Sequence, residues 1–197
     1  PESGAAAVHW YRFDPVALLL DDRGVLDCAD LSGPWVRVSV DRTGMAWLLS
    51  QQGDVFKSPV GGGSCGASDT RVELPVGGYS LWDVAFSADS GDSPDESLWS
   101  VAGNVTSAPV YLLRTDPVTR TTTTVAIGEP GSAPLANSRN GFSLTGTGAG
   151  RLLALTQPEN DGTVALTELN KRNGEVLSRT TFPSEYTRSG ISAFAFW

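Results

Sequence analysis

Histidine, lysine and cysteine are nearly missing from this 197-residue chain, and helical patterns are almost absent too. His9 is the only histidine, so any Ser-His-Asp or Cys-His arrangement has to include it. It stands beside Trp10 and Tyr11 in a predicted strand, where a packed or surface role is the commoner one. Cys28 and Cys65 are the only cysteines; without CxxC spacing, and with a single His, they make no metal set. Two cysteines in a chain rich in Gly, Ser, Thr and Asp fit one disulfide of an exported protein, the alternative being two separate buried thiols. The only lysines are Lys57 and Lys171, and 14 basic side chains face 22 acidic ones, for a net charge of −8. That balance argues against nucleic acid, whose phosphates need clustered cations, and against docking on anionic lipid. Apolar runs such as Val16–Leu20 end after a few residues, far short of the ~20 that span a bilayer, so no membrane insertion is expected.

What the chain does have is enough apolar sequence to fold: 40% hydrophobic against 18% charged residues excludes a disordered acidic tail. Its length fits one large domain or two small ones. Short alternating or apolar runs are separated by turn residues, the pattern of an all-β protein. Val36–Val40 alternates strictly, Asp41-Arg42-Thr43-Gly44 supplies a turn, and Met45–Leu49 is the next strand. In such turns Gly takes positive φ freely and Asp or Asn bonds to its own backbone.

Internal repetition carries the most information. Tyr11-Arg12-Phe13-Asp14-Pro15 matches Leu113-Arg114-Thr115-Asp116-Pro117, and Glu168-Leu169-Asn170-Lys171 leads into Arg172-Asn173-Gly174 as a third version. Each reads as a strand, an Asx-initiated turn and a further strand. A second series, in step with the first, opens each unit at Val36–Val40, Leu81–Ser87, Gly141–Thr145 and Ile191–Trp197. Units of about 40 to 60 residues holding four short strands are the signature of a β-propeller blade. One four-stranded sheet has two apolar faces and cannot cover both, so several blades must stack around an axis.

The expected fold is therefore an all-β propeller of about four blades. Its repeat units are roughly 1–30, 31–78, 79–134 and 135–188, with a closing strand at 189–197. The chain opens in the third strand of a unit and ends on a first strand. The closing blade is thus expected to be shared, with Ile191–Trp197 innermost and Val8–Phe13 and Val16–Asp27 outside it. A piece of a larger ring is the rival reading.

The Arg-x-Asp-Pro and Asn-Lys-Arg-Asn-Gly turns and the closing Ser-Ala-Phe-Ala-Phe-Trp resemble the repeats of propeller proteins secreted by myxobacteria and their relatives. The resemblance covers about residues 80–197. It implies export and a propeller, and it carries over no catalytic residues. Four-bladed hemopexin-like rings are similar in architecture only.

Several constellations could carry chemistry. Among the acids Asp83, between Trp82 and Val84 in an inner strand, is the best candidate to face a channel, but a hydrogen bond to a neighbouring blade is the commoner role for such a residue. Paired carboxylates would suit a propeller glycosidase, yet Asp21, Asp22 and Glu168 form no evident pair with it. The acidic loop Asp89–Glu96 has the oxygen density of a Ca²⁺ site without the ligand order of a dedicated loop. A solvated charged hairpin is the plainer reading, so no cofactor is expected beyond such a Ca²⁺. The six Trp could be sugar platforms, but Trp47 and Trp99 fall in second strands and Trp82 and Trp197 in first strands, which favours packing between blades. Asn104-Val105-Thr106 matches the glycosylation triplet and means little in a bacterial protein.

The function these observations favour is a non-catalytic, secreted, cell-surface or periplasmic module for binding or assembly. Its ligand would sit at the loop face or in the channel, with Asp83, Trp82, Trp99 and Trp47 as the candidate contacts. A lectin-like propeller binding glycan is the alternative and a propeller hydrolase the third. The expected partner is a protein, or a second copy, completing the blade near Trp197 by strand addition.

Overall fold

The computed structural model describes residues 8–14, 16–26, 28, 37–60, 64–75, 78–104, 109–128, 142–156 and 164–182. Every regular element among them is a strand. β1 (Val8–Asp14) and β2 (Leu19–Leu26) form an antiparallel hairpin. β3 (Arg37–Val40), β4 (Met45–Leu49), β5 (Asp54–Pro59) and β6 (Gly66–Arg71) make a first four-stranded sheet. β7 (Ser80–Ala88), β8 (Glu96–Gly103), β9 (Val110–Thr115) and β10 (Thr122–Gly128) make a second. β11 (Phe142–Gly146), β12 (Leu152–Thr156), β13 (Val164–Leu169) and β14 (Val176–Phe182) make a third. Strand order follows chain order in all three, and every pairing is antiparallel.

The turns explain why the strands end where they do. Asp41-to-Met45 and Thr147-to-Arg151 are the same tight hairpin, with Gly44 and Gly150 donating to the carbonyls of Asp41 and Thr147 at 3.0 Å each. Both glycines sit at φ near +80°, where a side chain would be strained. The turns between third and fourth strands repeat another device. Asp14 accepts from the amides of Val16 and Ala17, Asp116 from those of Val118 and Thr119, and Asn170 from that of Arg172. Four residues on, Leu18, Arg120 and Gly174 all adopt positive φ. By this match β1 and β2 correspond to third and fourth strands.

The sheets stack face to face. Trp47, Leu49 and Val55 pack with Val84, Leu98 and Leu113 between the first and second sheets. Ala85, Trp99 and Leu112 pack with Phe142, Leu144 and Leu152 between the second and third. Leu98 and Trp99, neighbours on β8, thus point into opposite interfaces, and one strand is buried on both faces. Leu26 and Trp10 lay the hairpin on Leu48 and Phe56 of the first sheet, and the Cys28–Cys65 disulfide fastens it there.

β7 packs against both β3 and β11, so the first strands of the three sheets lie side by side as blades do around an axis. Ser39 Oγ accepts from the Phe86 amide at 3.0 Å, and a Cβ on Gly146 would run into the Phe86 carbonyl. The architecture is all-β with propeller-like stacking: three four-stranded sheets and one hairpin among the described residues. The expected strand at Ile191–Trp197, and with it the shared closing blade and the partner site near Trp197, lies outside them. So do Trp35, Val36 and Gly141.

Candidate functional site

Asp83 stands where the three first strands meet. β7 bulges between Leu81 and Asp83, which re-aims the side chains that follow. The Asp83 carboxylate is 15% exposed and accepts from the Leu144 amide of β11 at 2.7 Å. The Ser143 hydroxyl and Val84 amide also donate to it. Arg37 of β3 brings its Nε to 3.9 Å and donates to the Trp82 carbonyl. Burial pushes the Asp83 pKa up, against the opposing pull of these donors and of Arg37. The carboxylate thus ties all three sheets together. Trp82, half-buried, packs against the interface of the second and third sheets and covers Gly103, where a Cβ would meet its ring.

The other two expected aromatic contacts lie inside. Trp47 is 3% exposed: its Nε1 donates to Asp41 Oδ2 at 2.9 Å, Phe86 meets its ring edge-on, and Lys57 Nζ stands 3.6 Å from the ring centroid. Trp99 is 2% exposed, with Lys171 Nζ 6.0 Å from its ring. Trp82 and Asp83 are thus brought together, whereas Trp47 and Trp99 pack in two separate interfaces and present no ring face to solvent.

A cleft of about 470 Å³ opens where the β3–β4 and β7–β8 hairpins meet the β9–β10 turn. Asp41, Asp89, Asp95, Glu96 and Asp116 line it with Arg42, Thr43 and Thr119. Most of these carboxylates hold the protein's own backbone or cations. Asp41 accepts from Thr43, Met45 and Trp47; burial opposes its ionisation, but these bonds outweigh burial and lower its pKa. Asp89 takes Ser97 at 2.7 Å and Arg114 at 2.9 Å. Glu96 takes the Arg42 amide at 2.8 Å, while the Arg42 guanidinium reaches the carbonyls of Ser93 and Pro94. Turn amides lower the pKa of Asp116. No three Asp, Glu, His or Cys among the described residues cluster in a way that could hold a metal ion. His9, on the exposed hairpin, has Nδ1 3.6 Å from Asp22 Oδ2.

The cations are what the sequence reading passed over. Arg37, Arg42 and Lys171 each cross from one sheet to the next; Lys171 donates to the Ala88 and Asp89 carbonyls, and burial lowers its pKa. Only Lys57 had a signal: counting back through the Met45–Leu49 hairpin places it opposite Trp47.

No family model matches the chain, and no curated protein does either. Solved structures do. The Dos1 propeller superposes over 87% of this chain and 41% of its own, with a TM-score of 0.51 at 12% identity. A GH43 β-1,3-galactosidase solved with galactodeoxynojirimycin superposes over 81% of this chain and 66% of its own, with a TM-score of 0.54 at 11% identity. This chain spans less than two thirds of either. At such identities the likeness is one of fold, and the fold is a propeller.

Proposed function

We propose that this chain is a non-catalytic propeller module that works by binding or assembly, outside the reducing interior of the cell. Its ring would have about four blades, the last one shared between the two ends of the chain. The observation that carries the reading is how the acids are engaged. Asp83, the one near the axis, bridges three sheets, and four of the five carboxylates of the acidic cleft hold turns, amides or arginines. A glycosidase needs two carboxyl groups facing a shared space, one of them available to give up a proton. Here the acids act as struts, leaving shape and surface for recognition. The disulfide and the resemblance to secreted propeller proteins support export.

The test is hydrolysis of chromogenic β-galactosides and related glycosides by the wild type and by Asp83→Asn. The expected result is no turnover by either. A rate that collapses in the variant would overturn the proposal in favour of a hydrolase. The lectin reading has one observation behind it: Thr43, Thr119 and Asp95 rim a cleft of sugar-sized volume. Its check is glycan binding that is lost in Asp95→Ala.

A further inference from the structure

Three junctions join the described strands into a stack, and each is gripped by the segment between a third and a fourth strand. Where the first and second sheets meet, Arg120 of the β9–β10 turn reaches Asp69 of β6 at 3.0 Å. Where the second and third meet, Gly174 of the β13–β14 turn packs on Ala126 of β10, and Lys171 of the same turn holds the Ala88 and Asp89 carbonyls. Between the hairpin and the first sheet, the same segment carries Cys65, bonded to Cys28 just past β2. With no other cysteine in the chain, this is the one grip that electron transfer can make or break.

The covalent grip also holds the junction with the least apolar contact among the described residues. Leu26, Leu48 and Phe56 are its buried side chains, whereas ten are buried at each of the two sheet-to-sheet junctions. A cross-link closing 37 residues over so small an interface carries a large share of the hold. Solvent also reaches the bond. Both cysteines are half-buried, Cys65 stands between the exposed Ser64 and Gly66, and the space beside Gly66 is open.

We propose that Cys28–Cys65 is a redox latch, made in an oxidising medium and opened by thiols such as glutathione, that sets whether the β1–β2 hairpin lies on the first sheet. To open it, one thiolate attacks Cys65 Sγ; the Cys28–Cys65 bond breaks, and Cys28 leaves as a thiolate that takes up a proton. A second thiolate attacks the donor's own sulfur in the mixed disulfide and frees Cys65, which is protonated in turn. Two thiols are thereby oxidised to one disulfide, and the protein's disulfide is reduced to two thiols. Release uncovers Leu48 and Phe56, which are 2% and 8% exposed while the hairpin lies on them. The other two junctions contain no cysteine and stay shut. The latch rests on the reading above, in which export supplies the oxidising medium, and it adds a control over when the hairpin is seated.

The test holds the native protein in glutathione buffers graded from fully oxidised to fully reduced. Free thiols are then alkylated and counted by mass, and hydrogen exchange is read on the same samples. The reduced wild type should gain two alkyl groups, and amides of β1 and β2 should exchange ~10-fold faster or more while β8 and β9 are unchanged. Reoxidation should restore the slow rates. The double variant Cys28→Ser, Cys65→Ser should show the fast hairpin in every buffer, which ties the change to the bond; if it folds poorly, the reduced wild type still gives the reading. A bond that survives fully reduced glutathione is a permanent staple and overturns the proposal. So does a hairpin whose exchange ignores reduction, an equal loss of protection in all sheets, or a change that reoxidation cannot reverse. None of these outcomes bears on glycoside turnover, whose detection would instead sink the non-catalytic reading.

Discussion

At the scale of single residues, the protein uses charge as internal fastening. Asp83 is the clearest case, because its burial raises the pKa while Leu144, Val84, Ser143 and Arg37 hold the carboxylate in place. A carboxyl whose folded pKa lies above its unfolded value binds its proton more readily in the folded chain. Its contribution therefore favours folding at low pH and is lost as pH rises through the folded pKa. Asparagine at this position cannot ionise. The stability of Asp83→Asn relative to wild type should shift in the variant's favour as pH is raised from below the ordinary aspartate range to neutrality. Urea titrations at a series of pH values measure it; a difference that is flat with pH, or that moves the other way, would show that the donors outweigh burial. Sequence reading did offer a hydrogen bond to a neighbouring blade as one role for Asp83. It could not find Leu144, 61 residues away, because a backbone amide has no signature of its own.

At the scale of elements, a two-stranded hairpin is marginal by itself, and β1–β2 has only a small apolar contact to hold it. The Cys28–Cys65 bond supplies the rest. It spans 37 residues, for which the chain-entropy account gives about 4 kcal/mol. Replacing both cysteines by serine should free the hairpin first. Hydrogen exchange should quicken at the amides of β1 and β2 while β8 and β9 keep their protection, and equal loss across all sheets would count against this division. The elements were also what the sequence displayed best. Met45–Leu49 is a strand with the bounds its pattern predicts, and Leu81–Ser87 lies within β7. The Asx turns at Asp14, Asp116 and Asn170 share one geometry, as their repetition suggested. What alternation could not reveal was the inside of a second strand: β8 is buried on both faces, so Trp99 carries no period that separates packing from binding.

At the scale of the whole molecule, the main contacts among the described strands run between successive sheets, so their stability is distributed like that of a short stack. The second sheet has a four-stranded sheet against each face, with Leu98 and Leu113 facing the first sheet and Trp99 and Leu112 facing the third, whereas the outer face of the first sheet carries only the hairpin among the described residues. Uncovering it means breaking two interfaces, whereas the hairpin can leave after breaking one. The amides of β8 and β9 should therefore exchange most slowly, near the rate set by global unfolding. Leu112 and Leu113 are both fully buried, one in each interface. Truncating either to alanine should cost ~2–5 kcal/mol, the range for a buried leucine that leaves a cavity. Leu26→Ala trims only the hairpin contact and should fall well short of that in global stability, while speeding exchange in β1 and β2. Denaturant melts of the three variants, read beside exchange rates residue by residue, decide the matter. If β12 and β13 outlast β8 and β9, the third sheet is held by more than its contact with the second.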